Sequence, residues 1–452
     1  MEVSKSNNRQ PAAFYIISFT SMWERFSYYG MRAFLVLYMV NDIMDPVKGH
    51  LGGLHFDEGL AGLIYGIFNG TCYLLPLLGG YLSDRFLGER RSVFIGGLFI
   101  MIGHFTLAAD ISTATFFTGL TLLAIGNGFF KPTTVTMLGD LYEQGDKRRD
   151  SAFTLYYMIF NGGAALAPLL CGFFGETYGY RYGFLVAGIG MGVGLIIYLI
   201  LGKLYLGNIG KVARYKLAKA DAEANKTVKV PLTREEKQRL WVIFILLFLV
   251  IAFWAAFEQA GSTLNLYTDH YINKMVAGWE IPTSWFQSVN PILILGLAPI
   301  FSGLWIYLSS RKKNPSTPIK MAIGMIILGS AFLFMVGAVM ERGGEVLDRS
   351  VKANVMWLMG FYVFSTIGEL FVSPIGLSMV TKLAPKHMGS LMMGVWFLSF
   401  FIAHLISGAI VGFVSSLGAF NIFLIIFIVM IVLGLVIFLL SKKLLYWMHG
   451  RD

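Results

Sequence analysis

Twelve times along this chain of 452 residues, an apolar stretch is long enough to cross roughly 30 Å of hydrocarbon, which takes about 20 helical residues at about 1.5 Å each. The stretches fall at approximately 13–40, 58–82, 91–109, 113–138, 151–176, 181–206, 238–267, 283–309, 318–341, 353–383, 387–415 and 417–446. Hydrocarbon offers no water to peptide groups, so such segments must satisfy their own backbones, and helices do that locally. The expected fold class is therefore all-α, with twelve transmembrane helices. Composition agrees: 56% of the residues are hydrophobic, only 14% are charged, and mean hydropathy is +0.66.

Lys and Arg outnumber Asp and Glu by 36 to 26, a surplus that in a soluble chain would suggest nucleic acid. Here the spans explain it. With a cytoplasmic N-terminus, roughly 27 basic residues fall on one side of the membrane and about 6 on the other, as the positive-inside rule requires. No nucleic-acid partner is expected, and both termini are expected to be cytoplasmic. The first span carries charges and lacks a small-residue cleavage pattern, so it is expected to remain as a helix rather than leave as a signal peptide. Cys72 and Cys171, the only cysteines, fall in spans and are expected to pack rather than pair or bind metal. The sequons at Asn69 and Asn225 sit in a span and in a predicted cytoplasmic segment, where glycosylation is not expected.

The longest polar segment divides the spans six and six. The expected organisation is an N-terminal bundle at 1–206, a linker at 207–237 and a C-terminal bundle at 238–452. The linker has Lys or Arg on most turns, which suits either a basic helix on the membrane surface or a flexible tether held by anionic lipid. Between spans two and three lies GGYLSDRFLGERR, Gly79 to Arg91, which resembles the loop signature of the major facilitator superfamily. There Asp84 can accept hydrogen bonds at a helix N-terminus while Arg85, Arg90 and Arg91 hold the loop at the cytoplasmic face. SSRKKN at Ser309 to Asn314 is a degenerate echo in the second half, as expected of a transporter built from repeated halves.

Charges inside the spans constrain function. On the opening helix Ser21, Glu24, Arg25, Tyr28 and Arg32 share one face. A central Arg, Lys or Asp costs about 2.5–3.5 kcal/mol on insertion scales, so that face should meet a cavity or opposite charge. An ion pair that merely fixes packing is the plainer alternative. Span four places Lys131 between Gly126, Gly128 and Pro132. Span seven spaces Trp254, Glu258 and Ser262 by four, and span ten does the same with Ser365, Glu369 and Ser373. Three carboxylates and three cations, drawn from both halves, suit a central cavity for a zwitterion, with Arg binding a carboxylate bidentately and Lys adding a point charge.

ERFSYYGMR in span one, GNGFFKP in span four, FTLYYMIFNGGA in span five, FWAAFEQAGSTLN in span seven, WFQSVNP in span eight, STIGELFVSPIGLS in span ten and MGVWFL in span eleven together resemble the proton-dependent oligopeptide transporter family of the major facilitator superfamily. The resemblance covers all twelve spans and implies the major facilitator fold. It implies a peptide whose carboxylate meets Arg25, Tyr29 and Lys131 and whose amine meets Asn161, Asn290 and Glu369, with Tyr73, Trp254 and Trp396 lining side-chain pockets. It further implies that Glu258 carries the coupling proton and pairs with Arg32 at the outer gate, with Glu24 as a second coupling carboxylate. Making and breaking that pair would change the carboxylate's proton affinity.

Three departures from the family stand out. Ser21 replaces the first glutamate of an E-x-x-E-R-F motif. Tyr65-Gly66 stands where mammalian members have a tyrosine followed by a histidine. The linker is too short for the two extra helices of many bacterial members.

Plainer alternatives exist for several of these residues. Asn161 and Asn290 could bond backbone carbonyls, and Trp254 and Trp396 could be packing aromatics. His104 and His404 have no carboxylate or histidine four residues away and read as packing residues. Nucleotide loops, metal spacings and nucleophile elbows are absent, so neither an enzyme nor an ATP-driven pump is expected, and no cofactor or metal is implied.

The expected function is proton-coupled import of di- and tripeptides by alternating access. The alternatives are another small anion such as nitrate, an amino-acid derivative, or a peptide receptor without net transport. Expected partners are small peptides, protons and membrane lipids, and the expected state is a monomer. Without a large domain between spans nine and ten, the expected location is a bacterial inner membrane.

Overall fold

The computed structural model describes residues 10–42, 52–142, 146, 148–213, 232–346, 348–385 and 388–450. Among them are twelve helices of 20 residues or more. In chain order these are α1 (Ala12–Val40), α2 (Glu58–Leu82), α3 (Glu89–Ala109), α4 (Thr113–Gly139), α5 (Arg148–Ala167) and α6 (Tyr180–Tyr205), then α7 (Arg234–Phe257), α8 (Val289–Ser310), α9 (Thr317–Glu341), α10 (Val355–Leu383), α11 (Gly389–Leu417) and α12 (Ala419–Met448). Eleven are apolar enough to cross a membrane by length and composition. The exception is α1, whose 29 residues suffice in length but include Glu24, Arg25 and Arg32. The linker's proposed surface helix and Asn225 fall largely or wholly outside the described residues.

The helix ends follow local chemistry. α4 begins on a capping box in which Ser112 and Thr115 satisfy each other's backbone N–H, and α7 begins on a second one between Thr233 and Glu236. The α7 box starts the helix at Arg234, a turn before the apolar stretch, because capping rather than hydropathy sets its first residue. The expected single helix of span seven is in fact broken. After Phe257 the chain tightens into a 3-10 turn, Glu258–Gly261, and resumes as a helix at Thr263–Tyr271. α5 similarly gives way at Pro168 to a wide turn, Pro168–Gly172, and a short helix, Phe173–Tyr178.

The expected loop at Gly79 to Arg91 is a correction of another kind. Helical structure continues from α2 through Leu87, and one residue, Gly88 at φ 77°, turns the chain into α3. Arg90 points inward there, its guanidinium donating to the carbonyls of Gly202 (2.5 Å) and Gly207 (3.3 Å) and so satisfying the end of α6.

Contacts divide the chain into two compact units. One takes residues up to Met31, Leu75–Phe174 and the segment from Arg181; the other takes Arg32–Leu74, Gly175–Tyr180 and the described chain from Leu232 onward. Within the first, α3 packs along α4 through glycines: a Cβ on Gly96 or Gly126 would lie 2.7 Å from the other's carbonyl oxygen. Within the second, α9 packs against α10 and α12, and α7 against α11. Its core is Phe253, Phe332, Phe361, Phe423 and the surrounding aliphatic side chains.

In that second unit α2 also lies against α11 on glycine. Gly59, Gly62 and Gly66 meet Gly412, Gly408 and Val411. A Cβ at Gly66 would sit 2.5 Å from the carbonyl oxygen of His404 and 3.0 Å from the Cα of Gly408. This close approach sets the depth at which α2 presents Tyr65 and Tyr73.

Candidate functional site

In the second unit the break in span seven positions the chemistry. The 3-10 turn directs Glu258, 5% exposed, onto Arg32, 6% exposed, and the two form a buried ion pair. The guanidinium is used twice, since Nε also donates to the Tyr65 hydroxyl at 2.7 Å. His404 Nδ1 lies 3.9 Å from the same Glu258 carboxylate. Around this centre Gln259 donates to the Ser407 hydroxyl (3.1 Å) and carbonyl (3.3 Å), while Asn265 donates to the carbonyl of Ala33 (2.7 Å). The turn that orients Glu258 is thereby tied to α11 and α1. Removing one member of such a buried pair generally costs about 3–5 kcal/mol, because the other charge stays buried alone.

Aromatic rings adjoin the pair. Tyr73 stacks between His404 and Phe400, each 5.1 Å away, and Phe400 is met by Trp254 at 5.1 Å and Trp396 at 5.4 Å. Both tryptophans are buried, and Trp254 Nε1 has no hydrogen-bond partner among the described residues. Glu369, on α10, accepts a hydrogen bond from Asn290 at 2.8 Å, and the same amide donates to Thr366 at 3.0 Å. Asn290 thus bonds side chains rather than a backbone carbonyl.

The first unit holds the other charges. Arg25 lies 3.8 Å from Glu24, donates to the Tyr29 hydroxyl at 3.3 Å and covers the ring of Phe160 at 4.9 Å. Lys131 places its Nζ 4.1 Å from the centre of the Tyr28 ring, a cation–π contact. The Asn161 amide donates to the carbonyl of Tyr157 at 2.8 Å. Ser21 is 2% exposed on the same helix face. Asn69 is fully buried, its amide bonded to the carbonyl of Tyr65, and both cysteines are buried thiols.

Several contributors were not anticipated. His404 reads in sequence as a packing residue because its carboxylate partner is 146 positions away. Tyr65 and Ser407 carry no charge to attract attention. Farther along the second unit, the Glu176 carboxylate accepts from the backbone N–H of Thr283 (2.7 Å) and of Ser284 (2.8 Å), capping the 3-10 turn Thr283–Ser288 that opens α8. Thr283 and Lys274 both bond Asp269 at 2.8 Å, and Glu280 lies 3.3 Å from Lys274. Burial works against the Lys274 charge, but Asp269 and the other carboxylates outweigh it and hold the ammonium above the ordinary lysine value.

A family model described as the POT family matches residues 90–211 and 211–423. The chain belongs to the POT family. Relatives agree over nearly its whole length. The Bacillus subtilis (strain 168) protein named "Uncharacterized transporter YclF" is 35% identical over 97% of this chain and 95% of its own. "Peptide transporter YePEPT" of Yersinia enterocolitica is 34% identical over 88% and 86%.

Among solved structures, a peptide transporter of the POT family in complex with alafosfalin superposes with a TM-score of 0.88 at 34% identity, covering 98% of this chain and 96% of that one. A POT family transporter in complex with 5-aminolevulinic acid gives 0.86 at 29% identity, covering 96% and 97%. The fold is the major facilitator fold, and the chain is a multi-pass membrane protein of a family of transporters rather than enzymes.

Proposed function

We propose that this POT family member is a proton-coupled symporter that imports di- and tripeptides by alternating access. The observation that carries the reading is the buried Arg32–Glu258 pair with Tyr65 as the arginine's second partner. While Glu258 is ionised, the pair holds α1 to the turn of span seven. Protonation removes the attraction, while Arg32 still donates to the neutral hydroxyl of Tyr65. The His404 imidazole lies beside that carboxylate, its Nδ1 at 3.9 Å. Glu24, beside Arg25, is the second coupling carboxylate. The capped turn at Glu176 reinforces the same closure from the end of span five.

Arg25, Tyr29 and Lys131 take the peptide carboxylate, Asn290, Glu369 and Asn161 take the amine, and Tyr73, Trp254 and Trp396 line the side-chain pockets. The residues fit those roles chemically: the first three are two cations and a phenol, and Asn290 already bonds Glu369. Relatives named as di- and tripeptide transporters in Lactococcus lactis support the cargo. The six-span halves at 1–206 and 238–452 are the moving bundles. Both termini are cytoplasmic, the location is a bacterial inner membrane, the lipids are structural partners and the working unit is a monomer. A membrane potential supplies about 2.3 kcal/mol per charge per 100 mV, equivalent to roughly 50-fold accumulation per proton.

A second reading has one specific support. The relative bound to 5-aminolevulinic acid holds an amino-acid derivative, which also presents an amine and a carboxylate. Both readings are tested by uptake of dialanine and of 5-aminolevulinic acid into proteoliposomes under an inward proton gradient. Dialanine should accumulate in wild type, whereas Glu258→Gln should exchange it without concentrating it. Concentration by Glu258→Gln would overturn the coupling assignment. Accumulation of the amino acid alone would establish the second reading, and a protein exchanging neither substrate would be a receptor.

A further inference from the structure

We propose that the groove between α7 and α12 binds one anionic phospholipid, with an acyl chain along the groove and the phosphate held by Arg234, Lys237 and Lys443. The groove has about 320 Å³ of space and is lined by Trp241, Phe244 and Phe248 on α7 and Leu433, Leu440 and Leu444 on α12, among other apolar side chains. It is open to the outside of the protein: Trp241 and Phe248 are each 64% exposed. The lining runs from Leu249 to Trp241 on one helix and from Leu433 to Leu444 on the other. That is about 12 Å and 16 Å along their axes, an elongated shape that suits a hydrocarbon chain.

An apolar groove alone would take any lipid; the charge at one end selects. Arg234 and Lys237 precede Trp241 by seven and four residues and therefore continue its stripe on α7. Lys443 follows Leu440 by three on α12, with its Nζ 4.9 Å from the centre of the Trp447 ring. All three cations are exposed.

The two acidic residues nearby have other partners. Glu236 is spent on the Thr233 cap, and Glu235 faces Arg239 at 4.0 Å. Lys442, two residues past Leu440, lies about 200° around the helix and takes no part. Gln238 and His449, bonded at 2.6 Å, tie the two helices together at this end. A tryptophan at the groove and basic side chains one and two turns beyond it on α7 match the interface of a bilayer, where phosphate groups begin.

The site is tested on the full chain by native mass spectrometry in neutral detergent with equal phosphatidylglycerol and phosphatidylcholine. Wild type should retain one phosphatidylglycerol with at least tenfold preference. The triple variant Arg234→Gln, Lys237→Gln, Lys443→Gln should bring the ratio near one, and Leu440→Trp should lower retention of both lipids. A second measurement needs no charge change: dibrominated phosphatidylglycerol should quench wild-type tryptophan fluorescence more than dibrominated phosphatidylcholine, and Trp241→Phe should remove the difference. Equal retention by wild type, or an undiminished preference in the triple variant, would overturn the proposal. So would a dimer that Leu440→Trp dissolves, since a second copy would then be the occupant.

Discussion

Arg32 serves two acceptors in different directions, which a lysine cannot reproduce, having one point charge in place of a planar fork. Tyr65→Phe deletes one acceptor and leaves a buried Nε–H without it. The expected loss is about 1–3 kcal/mol, read as a lowered melting temperature in detergent. An unchanged melting curve would mean the hydroxyl is not that donor's partner.

His404→Gln removes the imidazole that lies 3.9 Å from the Glu258 carboxylate, so the pH profile of proton-driven uptake should move while exchange of dialanine persists. Ser21→Glu introduces an acid beside Glu24 and on the face of Arg25. It should alter the pH dependence of uptake, and an identical profile would mean that an acid at position 21 takes no part in proton coupling. At this scale the sequence was informative where charge sits in apolar surroundings, as at Glu258, Arg32 and Glu369. It was silent on His404, whose partner is distant in the chain, and on Tyr65, whose hydroxyl looks like any other.

Among elements, the α2–α11 contact depends on Gly66. A histidine in place of Gly66 would have to enter the space of the His404 carbonyl and Gly408, so the glycine is what lets these helices touch. Gly66→Leu should therefore cost about 1–3 kcal/mol through overpacking, and melting temperature with dialanine exchange measures it. The G-x-x-G-x-x-x-G spacing from Gly59 to Gly66 does not by itself say which helix approaches.

The turn at Thr283–Ser288 shows the same limit. Glu176 lies at the edge of an apolar stretch and looks like a solvated terminus, yet it caps a helix 107 residues away. Lys274 in the same cluster has a raised pKa, so its contribution to stability is complete below its unfolded value of about 10.4. It is lost as pH rises through the higher folded value. Wild type should lose stability in that alkaline range, and Lys274→Met should lack that component of the loss.

For the molecule as a whole, the number and type of long helices followed from hydropathy, because a bilayer leaves a chain few options. The interruptions did not follow, since the break at Glu258 and the turn after Pro168 depend on what packs alongside. The junction at Gly88 was hidden for the opposite reason: a signature rich in Arg and Gly suggests a loop, while the backbone stays helical up to a single residue.

One consequence of α1 concerns tolerance to length change. Arg25 and Tyr29 share one unbroken helix with Arg32, seven residues and about 10 Å beyond Arg25. A helix transmits rotation as well as displacement, so one alanine inserted after Tyr29 would advance Arg32 by about 1.5 Å and swing it by about 100°. The two proposed functions are thus held in phase like teeth on one shaft. Such an insertion should uncouple them even though every side chain remains, whereas four inserted residues, close to one full turn, should restore the phase at the cost of a displaced tooth.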